Sequence, residues 1–307
     1  MTRLHRRRTA VLLAVVLGLG LPLATTGPVG AASGRIQAIG AENEYADVIA
    51  QIGGNQVSVT SILSNPNTDP HTFESSPSVA REVGGATLVV QNGLGYDGFM
   101  DKIEAATSRP GRTVIVAQHL LGLRDSTPNP HLWYDPRTMP AVAEAVAGAL
   151  AASAPGHAAF FRANLARFDA SLGPWRAAVA SFRSAHPATP VATTEPVADF
   201  LLGAMGTVNR TPFRFQADVM NGVDPSAQDV TEVEGLLHRG QVKVFCYNVQ
   251  VVDTLTSSML RAARAAGIPV VALYETMPSG FDYQRWMLAE VDALRRAVVD
   301  GTSTERL

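Results

Sequence analysis

Between Ile36 and Val299, short apolar runs of strand length alternate with longer stretches of helical period, and the alternation runs through the chain twice. In the first half, strand-like runs at Ile36–Ile39, Val57–Leu63, Thr87–Gln91 and Thr113–Ala117 are separated by helix-like stretches at Tyr45–Ile52, Val79–Val83 and Phe99–Ala106, with a further helix from Thr138 to Ala152. In the second half, runs at Pro190–Thr194, Val242–Tyr247 and Pro269–Tyr274 are interleaved with helices at Pro196–Ala204, Ser226–His238 and Val252–Ala266, and a helix at Tyr283–Val299 follows the last strand. Such alternation is the pattern of parallel sheets covered by helices.

The segment between the halves has a different period. Phe161, Leu165, Phe168, Leu172, Trp175, Val179 and Phe182 recur at alternating steps of four and three, which is one apolar stripe along a helix. A helix filling this segment is about eight turns, ~45 Å, and longer than one small domain requires. Gly173-Pro174 falls in its middle and predicts a kink there or two helices in series. The expected fold is α/β: two lobes, each a small parallel sheet flanked by helices, joined by a long rigid linking helix. The boundaries are 34–153 for the N-terminal lobe, 154–186 for the link and 187–307 for the C-terminal lobe.

Residues 1–33 read as an export signal, with a basic start (Arg3, Arg6, Arg7, Arg8), an apolar run from Ala10 to Leu19 and small residues at Gly30-Ala31-Ala32-Ser33. The apolar run is short for a membrane span of ~20 residues, which favours cleavage, near Ala32. The adjacent arginines fit a twin-arginine export route loosely. The chain has 25 basic and 27 acidic residues; losing the four signal arginines leaves 21 − 27, a net charge of −6. Nucleic acid and anionic membranes are poor partners for such a chain. The single cysteine, Cys246, lies within an apolar strand-like run, so the expected protein has no intrachain disulfide and Cys246 is a small buried hydrophobe. With no cysteine after the signal, a lipid-anchored mature amino terminus is not expected.

Six histidines follow the signal segment. His157, His186 and His238 fall on helix surfaces or ends, where solvated or capping roles are ordinary. His119 follows a strand and is a weaker candidate. His71 and His131 share a local pattern, Asp69-Pro70-His71 and Asn129-Pro130-His131, in two loops of the first lobe. The first loop hangs from the C-terminal end of a strand, where open α/β sheets hold ligands. In the second lobe Thr194-Glu195-Pro196 and Tyr274-Glu275-Thr276 put carboxylates just past strand ends. Either glutamate alone could simply cap the next helix. Together, His71, His131, Glu195 and Glu275 form an N2O2 set facing a cleft, suited to zinc, manganese or ferrous iron.

Enzyme signatures are missing or incomplete. No His-Glu-x-x-His pair is present, and no Gly-x-Ser-x-Gly elbow. Gly93-Leu94-Gly95-Tyr96-Asp97-Gly98 matches a Gly-x-Gly-x-x-Gly pattern, but the next strand runs to Ala117-Gln118 with no acid to hold a ribose, so it reads as a tight turn.

With these residues assembled, the chain resembles the metal-binding, substrate-binding proteins of bacterial zinc and manganese ABC importers, the cluster A-I solute-binding proteins. The matching motifs are Ala41-Glu42-Asn43 with Gly53-Gly54, Asn65-Pro66 with Asp69 through Glu74, and Asn92 through Tyr96. Asn129 through Pro136 and Tyr283-Gln284-Arg285-Trp286-Met287 complete the set. The resemblance spans nearly all of residues 36–300. It implies a metal held at the lobe interface by His71 and His131 from the first lobe, and by Glu195 at a position that is His in many zinc carriers and Glu in manganese carriers. Glu275 is the acid nearest the fourth position, where the family more often has Asp. The chain departs from zinc carriers in lacking a His-rich acidic loop; only the short Leu123–Pro128 segment stands in its place.

The resemblance implies capture and not catalysis: a non-enzymatic, exported monomer, periplasmic or at the cell surface, not lipid-anchored. Its partners would be Zn2+ or Mn2+ as the transported ligand and an ABC permease. Two glutamates would offset the ion's double charge, and a nearly complete shell leaves little room to activate water. The alternative is a metal-dependent hydrolase using His71, His131 and Glu195, with water in the fourth position and Glu275 as base. A third reading is an adhesin or structural protein with a vestigial site.

Overall fold

The computed structural model describes Met1, residues 34–67 and residues 69–307; apart from Met1, the segment read as an export signal lies outside the described residues. Residues 35–307 form one unit. Its first half runs β1 (Ile36–Glu42), α1 (Asn43–Gly53), β2 (Val57–Leu63), α2 (Pro77–Gly85), β3 (Leu88–Gln91), α3 (Gly98–Ala106), β4 (Thr113–Val116), α4 (Ala117–Leu120) and α5 (Thr138–Ser153). Helices α6 (Ala158–Ser171) and α7 (Gly173–Ala185) lead to the second half. There the order is β5 (Pro190–Thr193), α8 (Asp199–Ala204), β6 (Val208–Asn209), α9 (Phe213–Met220), α10 (Ala227–His238), β7 (Val244–Asn248), α11 (Thr254–Ala265), β8 (Val270–Leu273) and α12 (Tyr283–Asp300).

Each half builds one four-stranded sheet, ordered β2-β1-β3-β4 and β6-β5-β7-β8, and every pairing is parallel. Both sheets place the second strand outside the first and the third and fourth on the other side, so the same winding occurs twice without a visible sequence repeat. The expected α/β architecture of two parallel sheets flanked by helices is what the chain adopts. β3 and β8 are buried at every position, as strands covered on both faces must be. Parallel winding also sends all C-terminal strand ends of a sheet to one edge, the edge that carries ligands in such folds.

The linking segment breaks into two helices in series. Pro174 sits in the first turn of α7, where its missing N–H costs nothing, and the chain turns at Leu172. The apolar stripe packs inward as its spacing requires: Phe161, Phe168, Leu172, Trp175 and Phe182 are buried. Three elements lie outside the sequence-based expectation, the short helix α4, the two-residue β6 and the helix α9. β6 is too short to show a period; α9 follows Pro212 in a stretch whose alternation is broken by Asn209, Arg210 and Arg214. The strand expected to reach Ala117 ends at Val116, because Ala117 opens α4.

Helix α12 fastens the second half to the first. The Tyr283 hydroxyl donates to the Trp133 carbonyl at 2.7 Å. Gln284 exchanges a hydrogen bond with Gln51 and donates to Ser171. The Trp286 ring packs edge-on against Tyr134, centroids 5.5 Å apart, and the Tyr134 hydroxyl donates to the Tyr274 carbonyl at 3.0 Å. One continuous apolar cluster therefore includes Trp133, Tyr134, Trp175, Tyr283 and Trp286 from both halves. Close-packed aromatic side chains of this size resist relative sliding, which makes the boundary between the sheets a stiff place to hold ligands.

Candidate metal centre

His71 is delivered by the loop after β2. Asp69 caps a single 3-10 turn, Pro70–Thr72: its carboxylate accepts the His71 backbone N–H at 2.8 Å, and its carbonyl accepts the Thr72 hydroxyl at 2.8 Å. Pro70 supplies the fixed φ of the first turn position. The imidazole retains a quarter of its surface exposure, 25%, so it forms the outer wall of the site.

His131 is fully buried and held from behind. Asn129 Oδ1 accepts both the His131 backbone N–H at 3.0 Å and the ring Nδ1–H at 2.8 Å, while Asn129 Nδ2 donates to the Pro196 carbonyl in the other half. With the Nδ1 proton spent on Asn129, the Nε2 lone pair is the one presented to the site, the tautomer arrangement that metal-ligating histidines use. The loop itself hangs on Asn92, which donates to the Pro130 carbonyl at 2.8 Å and accepts the Tyr45 hydroxyl at 2.7 Å.

Asn92 begins the Gly-x-Gly-x-x-Gly stretch, which is a tight turn as its sequence suggests. Gly93 has φ 86°, and a Cβ there would lie 2.7 Å from Gln118 Oε1. The turn closes on Asp97, whose carboxylate accepts the Asn92 and Gly93 N–H groups at 2.5 and 3.0 Å.

The second half contributes from the C-terminal ends of β5, β7 and β8. Glu275 follows β8, and the Gln250 side-chain carbonyl accepts the Glu275 and Thr276 N–H groups at 2.7 and 2.9 Å. Asn43 pairs with both backbone groups of Met277 at 2.8 and 2.9 Å, tying the same loop to the first half. Glu275 Oε2 lies 3.2 Å from His71 Nε2 and 3.3 Å from His131 Nε2, and accepts the Tyr96 hydroxyl at 3.0 Å. One donor atom each from His71, His131 and Glu275 falls within a 4.8 Å set, the group of this kind found among the described residues. An ion bonded tetrahedrally at 2.0–2.1 Å keeps its donors about 3.3 Å apart. The two edges that meet at Glu275 have about that length.

Glu195, just past β5, is buried beside this trio but outside it. Its two carboxylate oxygens each lie 3.3 Å from Asn248 Nδ2, and the same nitrogen donates to Glu275 Oε1 at 2.6 Å. Of the four residues singled out from sequence, three converge and the fourth is connected to them through one amide. His119, at the end of α4, takes no part in the set.

The electrostatics follow from burial and from that shared carboxylate. Burial alone works against charge on His71, but the hydrogen bond and charge of Glu275, aided by Asp69, outweigh it and raise the His71 pKa above the ordinary value. For His131, burial wins over the same partner and the pKa falls. Burial would raise Glu275, yet the two imidazoles beside it hold it below the usual carboxylate range. Glu195 goes the other way: burial, then the Glu275 charge, push it well up. A divalent cation among these groups would replace the protons that share the Glu275 charge.

Sequence reasoning passed over several of these contributors. Asn248 and Gln250 follow from sheet order, because β7 lies between β5 and β8 and its end must fall between the two glutamates. Glu42 ends β1 and Glu44 lies in the first turn of α1; both are fully buried, and none of their carboxylate oxygens has a hydrogen-bonding partner. Burial, then the charge of Asp97, raises Glu42, and burial chiefly raises Glu44, so the charged form of both acids behind the site is disfavoured.

A family model described as ZnuA, zinc-uptake complex component A, periplasmic, matches residues 41–297. Among curated proteins, a relative from Thermotoga maritima is 34% identical over 94 residues, 31% of this chain and 33% of its own length. The manganese-binding lipoprotein MntA of Bacillus subtilis is 26% identical over 145 residues, 45% of this chain and 47% of its own length. The chain thus aligns with a third to a half of the length of these relatives. Among solved structures, the periplasmic zinc binding protein TroA from Treponema pallidum superposes with TM-score 0.73 at 18% identity, covering 88% of this chain and 100% of that one. FpvC from Pseudomonas aeruginosa in complex with Mn2+ superposes with TM-score 0.71 at 21% identity, covering 87% and 100%. At these identities the structural likeness is one of fold.

Proposed function

The chain belongs to the family of periplasmic zinc-uptake component A proteins, and from that premise we propose that it captures a divalent transition metal, zinc or manganese, between its lobes and hands it to the permease of an ABC importer. The observation that carries this reading is the convergence of His71, His131 and Glu275 from opposite lobes at donor separations of 3.2 and 3.3 Å. Glu195 is the fourth ligand in this reading, recruited from its place beside Asn248. Two imidazoles and two carboxylates make a neutral complex with a 2+ ion, which suits a buried site that must exclude counter-ions.

Capture fits the geometry better than catalysis. A hydrolase would need Glu275 free to act as a base, whereas both of its oxygens are held, Oε1 by Asn248 and Oε2 by Tyr96 and the histidines. The lobes are residues 34–153 and 187–307, with 154–186 as the link. The protein works as an exported monomer in the periplasm or at the cell surface.

The test is a titration of the signal-free protein with zinc and with manganese, repeated on His71→Ala. One ion bound tightly per chain without turnover, and lost in the variant, supports the carrier reading. Absence of binding, or binding indifferent to the substitution, overturns it.

A further inference from the structure

Among the described residues, the amide of Asn248 hydrogen-bonds to both glutamates. Nδ2 carries two N–H bonds; Glu275 Oε1 accepts at 2.6 Å, and the Glu195 carboxylate lies at 3.3 Å from the same nitrogen through both oxygens. The orientation of the amide is determined by its other end: Oδ1 accepts the Gln250 backbone N–H at 2.9 Å, so a flipped amide would lose that bond and turn its oxygen toward two carboxylates. The Asn248 backbone N–H donates to Thr194 Oγ1 at 3.1 Å, which pins the end of β7 to the residue before Glu195. Asn248 is 1% exposed, so water does not substitute for either bond.

This arrangement divides the two oxygens of Glu275 and gathers both oxygens of Glu195 on one nitrogen. Glu275 turns Oε2 toward the histidines and Tyr96, while Oε1 is occupied by Asn248. A carboxylate with one oxygen tied to an amide offers a metal only the other. Glu195, sharing the same donor, can extend one oxygen while the second stays on Asn248. The resulting shell has two nitrogens and two oxygens, the number and geometry that zinc accepts readily, whereas manganese favours six oxygen-rich positions.

We propose that Asn248 is a positioning residue that sets metal specificity by keeping Glu195 and Glu275 monodentate, so that the site holds four donors and favours zinc over manganese. The inference rests on the carrier reading and on Glu195 as its fourth ligand. Without the amide, both carboxylates are free to chelate through two oxygens each, and the shell grows toward the number that manganese favours.

The experiment measures zinc and manganese dissociation constants by chelator competition for the signal-free wild type and Asn248→Ala, with Co2+ absorption as a report of coordination number. The expected result is a fall of about 10- to 100-fold in the manganese-to-zinc ratio of dissociation constants, the range typical of groups that hold metal ligands. The intense visible band of four-coordinate Co2+ should weaken in the variant. Should Asn248→Ala fail to fold, the ratio is read from Asn248→Ser, whose single hydroxyl cannot bridge two carboxylates. An unchanged ratio, or equal losses for both metals with the Co2+ band intact, overturns the proposal while leaving the carrier reading standing. Wild-type protein that binds neither metal overturns the carrier reading itself and this proposal with it.

Discussion

The two lobes share one strand order and differ in what they place at the strand ends. In the second lobe the acids at those ends are engaged: Glu275 by Asn248, Tyr96 and both histidines, and Glu195 by Asn248. In the first lobe Glu42 ends the central strand β1 with neither oxygen partnered, and Glu44 follows in the same state. Its contribution to the site comes instead from loops carrying imidazoles. The difference lies in orientation and in one neighbour: Asn248 gives both acids of the second lobe a donor, and only Glu275, flanked by two imidazoles, is held below the usual carboxylate range, while burial raises Glu195 as it raises Glu42 and Glu44. Burial without a cation nearby disfavours the charged form of such an acid.

The most severe way to break this contrast is His131→Ala, which removes the buried imidazole of the loop-borne half. Metal affinity should fall about 100- to 1,000-fold, a first-ligand share of the binding free energy of such sites, as read by isothermal titration or chelator competition. Next comes Glu290→Gln on α12. The Glu290 carboxyl accepts from Trp286 Nε1 and lies 3.2 Å from the Tyr134 hydroxyl, yet burial pushes its pKa up to about 8 from the ordinary value of 4.5. The folded state therefore holds this proton more tightly than the unfolded chain, and stability declines as pH rises from about 4.5 through about 8. Glutamine removes that penalty, so the variant should gain a few kcal/mol over wild type at pH 8.5 and little at pH 5, measured by denaturant unfolding.

Asp69→Ala tests whether the exposed imidazole depends on its capped turn. Losing the bond to the His71 N–H should weaken binding by about tenfold, in the range for groups that orient ligands. In wild type, affinity should start to decline above the ordinary histidine value as pH falls, because Glu275 makes His71 the easier imidazole to protonate and a proton there blocks the lone pair. His131, depressed by burial, should protonate later. A smaller effect belongs to Asp253→Ala. It breaks the capping box at the start of α11, where Asp253 accepts the Thr256 N–H at 2.7 Å and Thr256 Oγ1 accepts the Asp253 N–H at 2.9 Å. The cost should be about 1 kcal/mol of stability with metal affinity unchanged. The smallest is Glu42→Gln: if the acid is neutral as its burial demands, affinity at neutral pH should not move. A loss there would mean that Glu42 acts on the ion as a charge and that the contrast between lobes is wrong.

Much of the architecture was legible because parallel strands and amphipathic helices leave local periods. Four plus three of the eight strands were visible as apolar runs, and the stripe from Phe161 to Phe182 together with Gly173-Pro174 anticipated two helices in series. The eighth strand, Val208–Asn209, was not visible because two residues carry no period. The candidate site was legible through repetition of Pro-His in two loops and through acids placed just past strands. Asn248, Gln250 and Glu44 were silent, and Glu42 stood in a matching motif without a role, since nothing in a local stretch says which neighbouring strand will stand beside it.

Alternating hydrophobic periods, helix stops and the two Pro-His loops belong to the chain by itself, because they depend on residues a few positions apart. Sheet order does not. Only the folded protein puts β7 between β5 and β8, and thereby an amide between two glutamates 80 residues apart in sequence. Only packing decides that His71 is charged more readily than His131 while Glu42 is pushed upward, since desolvation and the distance to the nearest opposite charge are properties of the assembled interior.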